Sequence, residues 1–528
     1  MKLRRAQDDR PLIALASVAG FLFMICGLSH KGQAAMLGVN DFYLTQQYLG
    51  TASGGDGGDR YRRVEVAMAD KALRDAEING AWFVRLSATG FDPVLPGQRG
   101  DLDLWRSDPG AYWARIDELM SALDRHSLQG VFSLIWNPEQ FPAMTGETVR
   151  DLVANANSKS YALVVRYVNE YVRRYKDRHT VLFYELTNEL NLGADLDLLG
   201  RCQKIQNKAA CVTVGNYTTD EMIAFCRRLA MVIHNADHKV KISSGFSLPR
   251  RAAEHMRAHA EWITGNTDFT PDSPDQFEKN LREIHTMVDI IGVHIYPDPD
   301  GGENTRFGAT DPRSIVTLEA SIRAARKLNK PLYVGEFGDA EKDDSDDSSF
   351  TMRMMNKIAE LRPEFSSPWV WELYQASPYR THDTHESDYS MEPGMTDRQI
   401  SRFRELAKSF GQPVPDGKSL KKIPPHVVLT WPLDCTLLTP SQLVYAIASD
   451  DSGRAPSVKF FLDDKQVAQK DIPPYETEIT SLGVTPGNHV LKALANDATG
   501  LQAVYETPVL VGALAPGGAC TRAFPPAN

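Results

Sequence analysis

The sequence has little cysteine and no excess of positive charge, and each of these absences excludes a class of protein. Six cysteines occur among 528 residues, and no Cys-x-x-Cys pair or Cys/His spacing indicates a zinc site. Lysine and arginine number 58 against 68 aspartates and glutamates, which gives a formal net charge of −10. This balance disfavours nucleic acid and anionic membrane surfaces as general partners, so we expect a neutral ligand.

The composition is otherwise that of a soluble globular protein. Hydrophobic residues make up 42% of the chain, aromatic residues 9% and charged residues 24%. These fractions are sufficient for a large core and exclude disordered and collagen-like chains. Because 528 residues exceed the size of one ordinary domain, we expect two or more folded units.

The first 35 residues have the pattern of a targeting segment. Lys2, Arg4 and Arg5 precede an apolar run from Pro11 to Leu28, and small residues follow it. We expect a signal peptide and a secreted or periplasmic protein. The run is also long enough for an uncleaved membrane anchor, and Cys26 before a glycine leaves lipoprotein processing as a third alternative.

The five cysteines beyond this segment would lie in an oxidising compartment, where disulfides persist. We expect one bridge between Cys202 and Cys211 across a loop and another between Cys435 and Cys520 around the C-terminal region. Cys226 is left over and is expected to be buried in a helix. The alternative is that all five are unpaired thiols.

Between residues 36 and 410, short apolar runs alternate with longer segments that have helical apolar spacing. Such alternation favours parallel strands joined by crossover helices. Eight such units predict an α/β fold, a closed (β/α)8 TIM barrel that forms the catalytic domain. The runs are Met36–Tyr43, Ala81–Ser87, Gly130–Trp136, Val181–Thr187, Val240–Gly245, Asp289–Tyr296, Pro331–Phe337 and Pro368–Tyr374.

The pattern changes after Phe410. Residues 411–422 are rich in proline, glycine and lysine and are predicted to form a linker. Residues 423–515 contain short β-like runs separated by turn residues, which predicts an all-β sandwich, and residues 516–528 form a tail. The runs are Val427–Leu429, Leu443–Ala448, Val458–Leu462, Thr477–Ile479, His489–Ala495 and Ala503–Val511.

Polar or aromatic side chains stand at the ends of nearly all eight barrel runs. In a (β/α)8 barrel the chemistry lies where the strands end and the following loops begin. The candidate residues at these ends are Asn40, Arg85, Trp136, Asn137, Asn188, Glu189, Ser244, His294, Tyr296, Glu336, Trp371 and Glu372.

Two of these candidates are glutamates that can work as a pair. Glu189 follows the fourth run, and Glu336 closes the seventh between two glycines. Glycosidic bond cleavage needs one carboxyl group that protonates the leaving oxygen and a second that meets the developing positive charge. Glu185 and Glu372 also lie on barrel strands and are rival carboxylates if the strand register differs by a few residues.

At these residues the chain resembles the glycoside hydrolases of clan A, and most closely family 5, the cellulase and mannanase family. The resemblance covers most of residues 36–410. It rests on Asn188-Glu189, Glu336, Gly292-Val-His-Ile-Tyr296, Val84-Arg85-Leu86 and Trp369-Val-Trp371 in that family's order. The C-terminal region resembles bacterial immunoglobulin-like modules, for which we expect a spacer or stabilising role rather than carbohydrate binding.

The resemblance implies a double displacement that retains anomeric configuration and requires neither a cofactor nor a catalytic metal. Glu189 would be the general acid and base, and Glu336 the nucleophile. The expected substrate contacts are Arg85, which would also keep Glu336 charged, Asn188 at the sugar 2-hydroxyl, His294 at another hydroxyl, Tyr296, which would orient Glu336, and the stacking surfaces Trp371 and Trp136.

Several of these assignments have structural alternatives. Arg85 could form a buried structural ion pair, while His294 and Trp136 could be core residues. Trp136 stands where many family 5 members have histidine, and Leu190 stands where they usually have proline. The acidic loops Asp298–Glu303 and Asp343–Asp347 are expected to be solvated, with calcium binding as the alternative.

The sequence therefore predicts an exported, monomeric retaining β-glycosidase that acts within β-1,4-linked glucan or mannan. Within the enzyme class, the alternative is an exo-acting glycosidase or transglycosylase on oligosaccharide or exopolysaccharide. From a different class, the alternative is a non-catalytic carbohydrate-binding protein of the cell surface.

Overall fold

The structure is a computed structural model that describes most of the chain beyond the N-terminal segment. The expected targeting segment and both acidic loops lie outside the described residues, as do most of the linker and the tail. The described residues are 35–51, 59–89, 100–206, 211–265, 267–297, 306–307, 315–339, 349–372, 389–415, 423–450, 455–512 and 520. No helix among them is both long and apolar enough to cross a membrane.

Parallel strands in two ladders build the first domain. One ladder has the order β2-β3-β4-β5-β6 and the other β1-β9-β8-β7. The ladders meet at Gly38, which separates β1 from β2, and at a parallel bridge between Ser243 and Ile290. The pairing therefore runs around a (β/α)8 barrel. The strands are β1 Met36–Leu37, β2 Val39–Asn40, β3 Phe83–Ser87, β4 Gln129–Ser133, β5 Val181–Glu185, β6 Ile242–Ser243, β7 Ile291–Ile295, β8 Leu332–Phe337 and β9 Phe365–Ser366.

The eighth barrel strand lies earlier in the chain than its apolar pattern predicts. The expected run was Pro368–Tyr374, but the paired strand is β9, Phe365–Ser366, which lies between β8 and β1. One aromatic residue followed by buried serines gives no strand periodicity. Trp369 and Trp371 lie past the end of β9, where their backbone N–H groups donate to Phe337 and Asn40 carbonyls at 2.9 and 2.8 Å.

Helices cover the strands, and their ends follow ordinary capping rules. Thr218 and Glu221, for example, form a capping box at the start of α9. The helices are α1 Leu44–Leu49, α2 Asp59–Ile78, α3 Asp101–Ser107, α4 Pro109–Arg125, α5 Gln140–Thr145, α6 Val149–Ala154, α7 Lys159–Arg174, α8 Leu198–Ile205, α9 Thr219–Ala236, α10 Ala253–Ala258, α11 Glu261–Thr264, α12 Pro274–Glu283, α13 Val316–Leu328, α14 Phe350–Leu361 and α15 Asp397–Ser409.

The second domain is a sandwich of two sheets with orders β10-β12-β15 and β11-β17-β16-β13-β14, in which every pairing is antiparallel except that of β11 with β17. Apolar side chains from both sheets form its core. The short strands β11 and β14 were not predicted, since neither has a strong apolar pattern. The strands are β10 His426–Trp431, β11 Thr436–Leu437, β12 Ser441–Ser449, β13 Ser457–Leu462, β14 Lys465–Lys470, β15 Tyr475–Thr480, β16 Gly487–Asn496 and β17 Gln502–Val511.

The sandwich packs directly on the barrel, and residues 34–528 form one compact unit. Val64 and Met68 of α2 lie in a buried cluster with Val428, Leu433 and Ile447 of the sandwich. Beside this cluster, the Arg63 guanidinium pairs with Asp434, Nη1 to Oδ1, at 2.6 Å.

Both expected disulfides are present, Cys202–Cys211 and Cys435–Cys520. The first joins the end of α8 to the loop before α9, and the second lies in the sandwich domain. Cys226 is a buried free thiol in α9.

Candidate active site

The interior of the barrel is layered, with aromatic side chains below and charged side chains above. Phe83, Phe183, Tyr333 and Phe365 belong to one buried cluster inside the strands. Because strand side chains alternate between faces, the residues two positions after Phe83 and Phe183 also point inward. Those residues are Arg85 and Glu185, which therefore lie one layer closer to the carboxyl ends of the strands.

Arg85 is the centre of the charged layer and is fully buried. Its Nε donates to Glu185 Oε2 at 2.7 Å, and its Nη1 donates to Glu336 Oε1 at 2.5 Å. Nη1 also reaches Asn40 Oδ1 at 3.2 Å, and Nη2 donates to Asn188 Oδ1 at 2.8 Å. One guanidinium thus fixes side chains from three other strands, a geometry that suits its planar fork of donors.

Glu336 lies at the end of β8 and receives a second donor. The Tyr296 hydroxyl donates to Glu336 Oε2 at 2.7 Å. Burial, followed by the charge of Glu336, raises the pKa of Tyr296 well above its ordinary value, so this hydroxyl stays protonated as a donor. Both oxygens of the Glu336 carboxylate are therefore held, one by a cation and one by a phenol.

Glu189 follows β5 in the left-handed backbone region, with φ of 49°, at the start of a short 3-10 helix. Its Oε1 lies 2.9 Å from His294 Nδ1. Burial raises the pKa of Glu189 above its ordinary value, although the Arg85 charge opposes the shift. This environment favours a carboxyl group that keeps its proton at higher pH than an exposed glutamate.

His294 lies between the two glutamates. Its Nδ1 is 3.4 Å from Glu336 Oε1, in addition to the contact with Glu189. Burial lowers the pKa of His294 to about 3, so the ring is neutral at physiological pH. Gly335 provides the space for the ring, because a Cβ there would lie 3.0 Å from His294 Nε2. The neutral ring donates to Glu189 when Nδ1 carries the ring proton, and Nδ1 accepts when the Glu189 carboxyl supplies the proton.

The two rival carboxylates are occupied elsewhere. Glu185 is fully buried beneath the site and pairs with Arg85, and burial raises its pKa to about 7. Glu372 accepts a hydrogen bond from Lys71 Nζ at 2.8 Å, next to Asp75 and away from the other candidates. Both are placed to position other residues rather than to meet a ligand.

The aromatic residues at the site differ from those predicted. Trp371 is 2% exposed, its Nε1 donates to the Ala72 carbonyl at 3.0 Å, and its ring packs near Phe403. The expectation that Trp371 is a stacking platform is therefore wrong, because this indole belongs to the core between the barrel and its helices.

Trp369 lies at the site instead. Its ring stacks on Phe42 at a centroid distance of 4.7 Å and near Trp136 at 6.2 Å. Tyr296 packs against the same cluster, and the Arg85 guanidinium lies 4.7 Å from the Trp136 ring centroid. Phe42 was not among the candidates, and Trp369, for which the sequence favours packing over sugar contact, is buried in the cluster that Tyr296 joins. The available signal was their position at the carboxyl ends of the first and eighth barrel strands.

Three side chains of the site are of types that can ligate a metal ion. One ligand atom each from Glu189, His294 and Glu336 lie within 4.8 Å of one another. The Arg85 guanidinium opposes a cation at this position, because it already pairs with Glu336 at 2.5 Å. The charge distribution therefore suits an electrophilic carbon with partial positive charge better than a dication.

The chain was compared with protein-family models, with curated protein sequences and with solved structures. Residues 425–493 match the family model described as Bacterial Ig domain. No curated protein sequence matches the chain.

Among solved structures, the chain is similar to the endo-β-1,4-mannanase from Thermotoga petrophila, with 13% identity over 91% of this chain and 99% of that chain at a TM-score of 0.46. It is also similar to two Rhizomucor miehei structures. For the glycoside hydrolase family 5 mannosidase the identity is 14% over 71% of this chain and 92% of that chain, TM-score 0.46. For the endo-1,4-β-mannanase the sequence identity is 14% over 73% of this chain and 97% of that chain, and the TM-score is 0.48. The chemistry of the site is argued below from its geometry.

Proposed function

We propose that the protein is a retaining glycoside hydrolase that cleaves β-linked polysaccharide, β-1,4-glucan or β-mannan, with Glu189 as acid and base and Glu336 as nucleophile. The observation that carries the proposal is the placement of the two carboxyl groups, with oxygens within 4.8 Å of each other on either side of His294. Retaining enzymes need their carboxyl groups about 5–5.5 Å apart, whereas inverting enzymes leave more room for a water.

The different surroundings of the two glutamates support different roles. Arg85 and Tyr296 hold both oxygens of Glu336, which orients a carboxylate for attack on the anomeric carbon. Glu189 is half-buried and its pKa is raised, which suits a carboxylic acid that protonates the leaving oxygen. Pairs of carboxyl groups with opposed environments are typical of acid and nucleophile assignments.

The reaction would proceed in two displacements. In the first, a Glu336 oxygen forms a bond to the anomeric carbon while the Glu189 proton passes to the departing glycosidic oxygen. In the second, Glu189 takes a proton from water, whose oxygen attacks the same carbon and releases Glu336. Asn188 accepts from Arg85 through Oδ1, so its Nδ2 is available to donate to the sugar 2-hydroxyl.

Trp136 and Trp369 keep 5% and 8% exposure in the aromatic cluster beside Tyr296, and these two rings support sugar binding next to the glutamates, whereas Phe42 is fully buried against them. Aromatic faces pack well on the apolar faces of pyranose rings. We also propose that the protein acts outside the cytoplasm as a monomer. The two disulfides and the N-terminal targeting pattern support export.

The test is sugar release from soluble β-glucan, β-mannan and xylan by the protein, its Glu336→Gln variant and a control, Glu405→Gln, on exposed α15 surface. The parent and the control should release sugar from a glucan or mannan, with the β-anomer first in NMR spectra. Glu336→Gln should lose at least about 10³-fold in kcat while still binding substrate.

A 2-deoxy-2-fluoro glycoside with a good leaving group provides an independent test, since it slows hydrolysis of the glycosyl-enzyme. Peptide mapping should find the sugar on Glu336. If the folded parent releases nothing from any polymer but binds one of them, a carbohydrate-binding protein replaces the hydrolase. An initial α-anomer would rule out the retaining mechanism.

A further inference from the structure

A cleft beside the site is lined by several arginines. This cleft has a volume of about 530 Å³, and His294 and Tyr296 of the site line it together with residues from the loops after β5 and β6. Four arginines line it, Arg201, Arg250, Arg251 and Arg306, and none of its described lining residues is acidic. Arg201 pairs with Glu261, and Arg251 and Arg306 have contacts of their own, so the attraction of an anionic ligand to this cleft depends on Arg250.

Arg250 is the arginine that carries the argument. Its Nε donates to the Leu192 carbonyl at 2.7 Å, and its Nη2 donates to the same oxygen. The side chain is exposed, and within the described part of the chain no carboxylate lies at ion-pair distance from it. Arg201, by contrast, already pairs with Glu261 at 3.0 Å. Arg250 is thus held in place with Nη1 available to a ligand.

The position of Arg250 relative to the general acid is also fixed. Leu192 lies in the 3-10 helix that begins directly after Glu189. Asn191 and Ser247 tie this helix to the loop of Arg250 through two hydrogen bonds, of 2.9 and 3.0 Å. The guanidinium therefore lies on the Glu189 side of the site, where the leaving group departs.

The cleft also offers apolar contact to a sugar ring. Phe269 exposes 57% of its surface there, and Leu248 and Met256 form apolar wall nearby. A guanidinium and apolar side chains that line the same cleft match a pyranose ring that carries a carboxylate, because arginine binds carboxylates through charge-assisted hydrogen bonds.

We propose that the substrate is an acidic polysaccharide, and that the sugar on the leaving-group side carries a carboxylate bound by Arg250. This inference rests on the proposed hydrolase function and replaces the neutral ligand that the net charge suggests. The uronic acid residue lies in the cleft with its ring against Phe269, and its carboxylate meets the Arg250 guanidinium.

The experiment compares β-1,4-mannan and β-1,4-glucan with the same polymers oxidised at C6 to carboxylates. The protein should cleave an oxidised polymer with about ten-fold higher kcat/KM than the same polymer without oxidation. One charge-assisted hydrogen bond is sufficient for a preference of this size. Added NaCl should shrink this preference. Arg250→Gln should abolish it, whereas Arg227→Gln, exposed on α9 outside the cleft lining, should preserve it.

A binding measurement separates this inference from the hydrolase proposal. Calorimetry with the Glu336→Gln variant measures affinity for neutral and oxidised oligosaccharides without turnover. If the oxidised oligosaccharide binds more tightly through Arg250 but the parent protein cleaves neither polymer, the hydrolase proposal is rejected and the inference about Arg250 stands. Equal cleavage of both polymers, or no preferential binding of the oxidised chain, overturns the inference.

Discussion

At the scale of single residues, the site depends on a few side chains that hold two carboxyl groups in different surroundings. Arg85 and Tyr296 converge on Glu336, while His294 reaches Glu189. None of these contacts is local in the chain, because Arg85 and Glu336 are 251 positions apart.

Tyr296→Phe should lower kcat by about 10- to 100-fold, because it removes the hydrogen bond to Glu336 Oε2, a bond to a charged group. The fold should be unaffected, since the ring remains. Steady-state kinetics and thermal unfolding measure the two quantities. An unchanged kcat would show that the hydroxyl does not position the nucleophile.

Gly335→Ala tests the space occupied by His294. The new Cβ would lie 3.0 Å from His294 Nε2, so the imidazole must move and its contact with Glu189 should lengthen. We expect kcat to fall by about ten-fold or more. Gly110→Ala is the matched control, because its Cβ would approach only Asp108 Oδ1 at 3.4 Å at the start of α4. Equal activity in both variants would contradict the positioning role.

The raised pKa of Glu189 predicts the alkaline limb of the pH profile. Burial raises this pKa, and the acid must be protonated to act, so kcat/KM should fall as pH rises through the raised value. A dinitrophenyl glycoside needs no acid for its leaving group. With that substrate, Glu189→Ala should lack this limb in the first displacement, and a limb that persists would assign the titration to another group.

At the scale of elements, helix α2 joins the two domains through a buried ionic cluster. Lys71 Nζ lies 2.9 Å from Asp75 Oδ2 and 2.8 Å from Glu372 Oε2, and Ser449 of the sandwich donates to Asp75 Oδ1 at 2.8 Å. Burial and the neighbouring Asp75 raise the pKa of Glu372 well above its ordinary value. Against its own burial, Lys71 holds the pKa of Asp75 below its ordinary value.

These opposed shifts predict different costs for two similar substitutions. Glu372→Gln should change the free energy of unfolding by less than about 1.5 kcal/mol, because the raised pKa favours the neutral carboxyl and the amide, also neutral, preserves an acceptor. Asp75→Asn should cost about 3–5 kcal/mol, because it leaves the buried Lys71 ammonium without its charged partner. Denaturant unfolding at neutral pH measures both, and equal costs would reject the assigned protonation states.

At the scale of the whole molecule, the sandwich is part of the folded unit rather than a tethered spacer. The apolar contact of Val64 and Met68 with Val428 and Ile447, and the pair between Arg63 and Asp434, all cross the boundary. Of the roles expected from the sequence, stabilisation of the barrel fits this packing better than spacing.

A chain that ends before β10 should therefore have a less stable barrel. Removal of the sandwich exposes Val64 and Met68 and leaves Asp75 without the Ser449 hydroxyl. We expect the barrel Tm to fall by more than about 5 °C and the intact chain to unfold in one calorimetric transition. Two separate transitions, with the barrel Tm unchanged by truncation, would show that the domains are independent.

Much of the fold and of the site could be predicted from the sequence because the signals are local. Seven of the eight barrel runs overlap paired strands, and the residues at their ends include six that the structure brings together: Arg85, Asn188, Glu189, His294, Tyr296 and Glu336. Short apolar runs followed by polar residues are sufficient for this result, since parallel strands in a barrel end at one face.

The tertiary structure alone decided which surfaces these residues meet. Trp369 and Trp371 are two positions apart, yet one stacks on Phe42 at the site and the other packs beside Phe403 in the core. The arginine cleft combines loops after β5, β6 and β7. Periodicity reports which side chains share a face of one element, whereas stacking, ion pairing and cleft charge depend on distances between segments far apart in the chain.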